Sequence, residues 1–296
     1  MTYRETYEAG RAALDKAGIP EAELDARLLL EHVCGTDRNT LLVYGDRAVS
    51  GEESGEYERL IERRSQRIPL QHLTGVQNFM GLDFSVNGHV LIPRQDTEIL
   101  VEEVLKNLHD GMRVLDMCTG SGCILISLLA FTNNCEGVGA DLSAEALKVA
   151  EENAGKLLGT WRQDGGADDG AEGRRQWKWI RSDLFEAVEG VFDIIVSNPP
   201  YIRSEVIETL MPEVREYEPR QALDGAGDGL LFYRRIVGEC GEHLVRGGML
   251  FFEIGHDQAA AVTGLMEAAG FLEIRVVKDY AGLDRVVYGT KGFAGM

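Results

Sequence analysis

Residues 196–201 read Val-Ser-Asn-Pro-Pro-Tyr and follow the apolar run Phe192-Asp193-Ile194-Ile195. A strand there must stop at Pro199-Pro200, because proline donates no backbone hydrogen bond and holds φ fixed. Such a stop is either punctuation or a rigid tool. As a tool it offers two fixed acceptors, the Asn198 side-chain oxygen and the Pro199 carbonyl, and one flat ring, Tyr201. A planar –NH₂ on a carbonyl or an aromatic ring is a poor nucleophile, because its lone pair is delocalised. Accepting both of its N–H hydrogens pushes density back onto nitrogen and turns the lone pair outward. Tyr201 can stack on the flat group, and the proline pair fixes the whole arrangement, which favours a near-attack geometry. No strong general base is needed beforehand, since the nitrogen becomes acidic only as it is alkylated.

A second constellation lies upstream. Residues 113–130, RVLDMCTGSGCILISLLA, read as a strand, a tight glycine turn and an apolar helix. Ligands of open α/β sheets sit at the carboxyl ends of strands, where Gly120 and Gly122 let the backbone approach closely. A dinucleotide fingerprint needs a further glycine where this chain has Leu125. Asp141 ends the run GVGAD, 21 residues beyond Gly120, where a carboxylate can accept both hydroxyls of a ribose. Its plainer role is a cap on the next helix; turn and acid together favour the ribose. Adenosine binding without a pyrophosphate fingerprint points to S-adenosylmethionine rather than NAD. Asp116 is placed to orient the turn or to meet the cofactor's amino group. The Asn-Pro-Pro-Tyr stretch ends the fourth strand candidate, at this same sheet edge, so the combination is that of methyl transfer to a planar nitrogen.

The elements that must position these residues are legible as alternation. MRVLDM, GVGAD, WKWIRSD, FDIIVSN, MLFFEIG, IRVVKD and RVVYGT are strand candidates, separated by helical stretches such as SAEALKVAEENAGKLL, with Ser143 as N-cap. This predicts a mostly parallel, Rossmann-like α/β sheet covered by helices on both faces. The link KDYAGLD is too short for a crossover helix, so the last strand is expected to run antiparallel. Residues 1–75 read as a small all-α domain. In it Leu24, Leu28 and Val33 share a face before a stop at Gly35, and Arg59, Arg63, Arg64 and Arg67 cluster as a solvated helix face or a contact for an acidic partner. Residues 76–93 read as a linking β-hairpin turning at Asn87-Gly88, a type I′ signal. Residues 94–296 form the sheet domain, and the glycine- and acid-rich stretch 159–175 is expected to be a mobile surface loop.

Bulk properties narrow the partners. The 296 residues include 30 basic and 49 acidic ones, a net charge of −19, which opposes a general nucleic-acid binder. The five cysteines lack C-x-x-C or zinc spacing, and the six histidines are dispersed, so reduced thiols and no metal are expected. The start, MTYRETYEAGR, has no apolar signal region, and the apolar run from Cys123 to Phe131 is too short to span a bilayer. A cytoplasmic monomer without membrane contact or stable nucleic acid is the expectation.

Several stretches resemble the protein-(glutamine-N5) methyltransferase family, specifically the release-factor group often called HemK/PrmC. They are LDARLLLEHV, RIPLQHLTG, FMGLDFSVNGHVLIPRQDTEILVEEV, SDLF, FDIIVSNPPYI, EPRQALDGAGDGLLFYRRI and FEIGHDQ. The similarity spans nearly the whole chain. It implies an S-adenosylmethionine-dependent enzyme, yielding S-adenosylhomocysteine, that methylates the glutamine of the Gly-Gly-Gln motif in class 1 peptide chain release factors. It also implies a helical N-terminal domain that helps to recognise the protein substrate. By motif position, Cys118, Thr119, Gly120, Ser121 and Gly122 would wrap the methionine end of the cofactor and Asp141 would hold the ribose. Asp183 and Leu184 would border the adenine. Asn198, Pro199, Pro200 and Tyr201 would hold the glutamine amide, with Asn198 also near the cofactor's methyl group.

The chain departs from the family pattern at two points. Cys118 stands where glycine is usual, so backbone contacts to a ligand survive there if φ is negative. Gln95 replaces the second proline of Pro-Arg-Pro-Glu-Thr-Glu, leaving Pro93-Arg94-Gln95-Asp96-Thr97-Glu98 less rigid. Three other readings stand beside the release-factor one: a ribosomal-protein glutamine methyltransferase, a DNA or RNA adenine-N6 methyltransferase, and a non-catalytic S-adenosylmethionine binder. Glu253 and Asp257 suit capping or ion pairing, and Phe232 and Tyr233 suit the core.

Overall fold

The computed structural model describes residues 1–159 and 176–292. The expected mobile loop, apart from Gly159, lies outside the described residues. The chain divides into two compact units, Met1–Val76 with Met211–Tyr217, and Gln77–Leu210 with Glu218–Met296.

In the first unit, the helices Tyr3–Lys16 and Gly51–Ser65 each open on a capping box, Thr2 with Glu5 and Ser50 with Glu53. The helix Ala22–Cys34 stops at Gly35, whose φ of 55° is the left-handed C-terminal conformation. Leu14, Ala26, Leu29, Leu30, Tyr57 and Leu60 fill the core. Gly10 is required by close approach, because a Cβ there would lie 2.0 Å from the Tyr57 hydroxyl oxygen. That hydroxyl donates to the Ala26 carbonyl at 3.1 Å.

Two expectations change here. The helix Ala22–Cys34 buries Ala22, Asp25, Ala26, Leu29 and Leu30 and leaves Leu24 37% exposed, so its inner face is not the one marked by Leu24, Leu28 and Val33. The inner face is apolar at Ala26, Leu29 and Leu30 and admits Asp25 through an ion pair: Arg64 Nε donates to Asp25 Oδ2 at 2.7 Å, with both side chains buried. The arginines accordingly do not form one solvated face. Arg64 and Arg67 both bind Glu213, at 3.1 and 3.2 Å, while Arg59 pairs with Glu56 on the helix surface. Glu213 belongs to Met211–Tyr217, a segment distant in sequence, which also sends the Tyr217 hydroxyl to the Gln66 carbonyl at 3.0 Å. Removing one partner of a buried pair strands the other charge, so Arg64→Ala is expected to lower stability by about 3–5 kcal/mol, read from the urea unfolding curve.

The second unit begins near a hairpin of β1 (Val76–Phe79) and β2 (Leu82–Ser85). It turns at Met80-Gly81, both with positive φ (52° and 74°), not at Asn87-Gly88. Phe79 and Phe84 pack edge to face, 6.0 Å apart, and the Met80 N–H donates to Glu98 at 2.6 Å, which together fix the turn. Asn87 instead closes a separate turn, its side chain accepting from the His89 N–H at 2.9 Å.

The sheet contains β3 (Arg113–Met117), β4 (Glu136–Asp141), β5 (Gln176–Arg181), β6 (Phe192–Ser197), β7 (Leu244–Glu253), β8 (Phe271–Lys278) and β9 (Asp284–Lys291). Among the described residues its order is β5-β4-β3-β6-β7-β9-β8. The strands β3 to β7 pair in parallel, and the last strand, β9, runs antiparallel between β7 and β8. Side chains alternate across the sheet with a period of two. Val114, Ile194, Val196 and Phe251 pack on one face with Leu125 and Leu128. Leu115, Ile195, Leu250 and Phe252 pack on the other with Tyr233, Ile236 and Val262. Helices therefore cover both faces, as the unbroken apolar strands require. Among the described residues no helix is long and apolar enough to cross a membrane.

Candidate active site

The strand order reverses between β3 and β6, and in open α/β sheets that crevice at the carboxyl ends is where ligands bind. Met117 lies opposite Ser197 in the register, and the Ser197 hydroxyl donates to the Met117 carbonyl at 2.7 Å. Cys118 and Asn198 therefore leave adjacent strands side by side. The cleft beyond them is lined by Cys118 to Ser121, Asp141, Asp183, Leu184, Asn198 and Pro200.

The glycine turn is held from beneath by Asp116. One of its oxygens accepts from the Thr119 hydroxyl at 2.5 Å and the Leu125 N–H at 3.3 Å. Burial pushes this carboxyl up to about 7, against those two hydrogen bonds. Gly122, with φ 78°, opens the helix Cys123–Ala130; a Cβ there would lie 2.9 Å from Ile126 and 3.0 Å from Trp179. Asp141 serves the backbone on both sides, accepting from the Gly120 N–H at 2.9 Å and the Ser143 N–H at 2.8 Å. Helix-end and turn contacts thus coexist on one carboxylate. Each of its oxygens retains acceptor capacity, and the residue lines the cleft. Asp183 is bound by Arg235 at 2.8 Å.

The Asn-Pro-Pro-Tyr segment is tethered at three points. The Asn198 side-chain amide donates to Thr97 Oγ1 at 3.3 Å. The Tyr201 hydroxyl donates to Glu253 at 3.2 Å, and the Tyr201 carbonyl accepts from Gln258 Nε2 at 3.0 Å. Pro199 is buried; it and Tyr201 are not among the residues lining the cleft, nor is Gly122. Glu253 is 2% exposed at the end of β7, and burial pushes its carboxyl up to about 6. It therefore holds Tyr201 as well as ending a strand.

Sequence reasoning gave no ligand-binding role to several lining residues: His89 to Leu91, Pro93, Arg94 and Thr97 on one wall, and Pro219, Gln221, Ala222 and Phe232, expected only in the core, on another. Phe232 is only partly buried and faces the cleft, unlike its fully buried neighbour Tyr233. The signal was present, since these positions fall within the stretches FMGLDFSVNGHVLIPRQDTEILVEEV and EPRQALDGAGDGLLFYRRI. The two walls are joined by Arg94, which donates to buried Glu218 at 2.6 Å. Among the described residues no group of three or more His, Cys, Asp or Glu side chains could hold a metal ion.

Cys118 has φ of 63°, so the negative φ that would ease its replacement of glycine is not found. A side chain in the left-handed region costs roughly 1–2 kcal/mol, partly offset by the greater chain entropy glycine loses on folding. Desolvation also raises the thiol's pKa. Cys118→Gly is expected to raise stability by about 0.5–1 kcal/mol, measured as a higher urea midpoint at unchanged slope.

Comparison with known proteins accords with this geometry. The family described as PrmC N-terminal domain matches residues 5–75, and that described as Methyltransferase small domain matches residues 94–228. The release factor glutamine methyltransferase of Geobacter sulfurreducens is 41% identical, over 98% of this chain and 97% of its own. That of Caulobacter vibrioides is 40% identical, over 98% and 97%. A crystal structure of a methyltransferase from Pyrococcus furiosus superposes with a TM-score of 0.51 at 18% identity, covering 72% of this chain and 91% of that one, a likeness of fold alone. With two full-length relatives at this identity and a glycine turn beside an Asn-Pro-Pro-Tyr strand end, the chain belongs to the release factor glutamine methyltransferase family.

Proposed function

We propose that this chain transfers a methyl group from S-adenosylmethionine to the side-chain amide nitrogen of the glutamine in the Gly-Gly-Gln motif of class 1 peptide chain release factors. The observation that carries the reading is the pairing of Met117 with Ser197, which sets the glycine turn beside Asn198 at the switch point. The residues present fit the cofactor. Ser121 Oγ, on the cleft wall, is buried without a protein partner, as suits a site completed by a polar ligand. Asp141 offers acceptors to ribose hydroxyls, Leu184 offers an apolar edge to adenine, and Cys118 to Ser121 wrap the methionine end, with Gly122 shaping the turn behind them.

Bound there, S-adenosylmethionine supplies an electrophilic methyl group. The chain's own task is to make an amide nitrogen nucleophilic and hold it in line. Asn198 Oδ1, on the cleft wall, accepts one amide hydrogen and the adjoining Pro199 carbonyl the other, while Tyr201, tied to Glu253, anchors the segment behind them. Pro199 and Pro200 hold these parts still, which is where the rate advantage of positioning arises. Proton loss follows methylation and needs no dedicated base. The helical unit is assigned to recognition of the protein substrate.

Two substitutions separate the parts of this scheme. Asn198→Ala is expected to cut turnover about 100-fold or more while leaving the calorimetric Kd for S-adenosylmethionine within a few-fold. Asp141→Ala should raise that Kd about tenfold or more. Turnover surviving in the first variant would rule out the amide acceptor, and an unchanged Kd in the second would reduce Asp141 to a backbone anchor.

A further inference from the structure

An asparagine amide helps this chemistry only in one orientation. Its oxygen must face the substrate –NH₂; the flipped amide would present a donor to a donor. Something must therefore distinguish the two ends of the Asn198 side chain. The neighbour at its nitrogen is Thr97 Oγ1, 3.3 Å away and 2% exposed, on the first turn of the helix Asp96–Leu105. A hydroxyl can donate or accept, so Thr97 alone does not select an orientation.

Glu253 breaks that symmetry. Its carboxylate is buried at the end of β7, the strand against which the helix carrying Thr97 packs, and the Thr97 hydroxyl favours its charged form. One oxygen accepts from Tyr201 at 3.2 Å. The other, Oε2, is buried without a partner in hydrogen-bonding geometry, and an unpartnered buried acceptor draws any hydroxyl hydrogen that can rotate toward it. A carboxylate only accepts, so a Thr97 proton turned toward Glu253 leaves Thr97 Oγ1 as the acceptor facing Asn198. The Asn198 –NH₂ then occupies that acceptor and Oδ1 is left for the substrate.

Resting on the reading of Asn198 as an amide acceptor, we infer that Thr97 and Glu253 are positioning residues. The buried carboxylate sets the hydrogen-bond polarity of both polar side chains of the Asn-Pro-Pro-Tyr segment, Asn198 through Thr97 and Tyr201 directly. Thr97 and Glu253 themselves touch neither reacting atom.

The test compares Thr97→Val, Thr97→Ser and Glu253→Gln with the wild-type enzyme, using an unmethylated class 1 release factor and measuring kcat, KM and the Kd for S-adenosylhomocysteine. Thr97→Val keeps the shape and removes the acceptor, so kcat should fall about tenfold or more, with the Kd changed less than threefold. Thr97→Ser should restore kcat to within about threefold of wild type. Glu253→Gln can donate to Thr97 and release its hydroxyl to the wrong end of Asn198, so kcat should fall there as well. Thr97→Val at wild-type kcat, Thr97→Ser as impaired as Thr97→Val, or a parallel loss of Kd in all variants would each overturn the inference. An inactive wild type would instead overturn the functional reading on which it rests.

Discussion

The structure depends on the register between β3 and β6. Their facing side chains alternate between two fully buried layers, so a slip of one residue would turn every apolar group to the wrong face. The Ser197 hydroxyl, bonded at 2.7 Å to the Met117 carbonyl, adds a polar lock at the last pair. Everything beyond that pair is loop, and its placement is inherited. The glycine turn leaves one strand as the proline pair leaves its neighbour, so the proposed cofactor site and the proposed amide clamp share a single crevice. A rigid sheet thus delivers two irregular segments to one place, as a positioning mechanism demands.

Buried acids finish what the register begins. Asp116 and Glu253 sit at the carboxyl ends of β3 and β7 with almost no exposure, and burial raises both carboxyls. Neither is placed there by the apolar pattern of its strand. Asp116 gathers the Thr119 hydroxyl and the Leu125 N–H, shaping the turn from inside. Glu253 gathers Tyr201. Acceptors of this kind are costly to bury and are found where geometry matters more than stability. Cys118, held at positive φ in the same turn, is a further local cost carried at the crevice.

Much of this was legible in the sequence because it is local. Apolar runs bounded by turn residues marked the strands, the short KDYAGLD link marked the reversed last strand, and Asn198-Pro199-Pro200-Tyr201 marked the strand end proposed as the clamp. What escaped depends on partners distant along the chain. Asn87-Gly88 carries the better hairpin signal, yet Met80-Gly81 makes the turn because Phe79, Phe84 and Glu98 fix it. Asp25 lies on the inner face of the helix Ala22–Cys34 because Arg64 pairs with it, and Arg64 also binds Glu213, some 150 residues later. Thr97 and Glu253 meet the clamp only once helix, strand and loop have come together. No periodicity encodes such a meeting. The sign of φ at Cys118 is likewise a property of the turn, which the residue type argued against.

The most direct measurement is tandem mass spectrometry of an unmethylated class 1 release factor after incubation with this chain and S-adenosylmethionine. A single methyl group on the side chain of the Gly-Gly-Gln glutamine, absent when Asn198→Ala replaces the wild type, is the expected result. A methyl group on another residue, or none on the release factor while a nucleic acid or ribosomal protein becomes labelled, would contradict it.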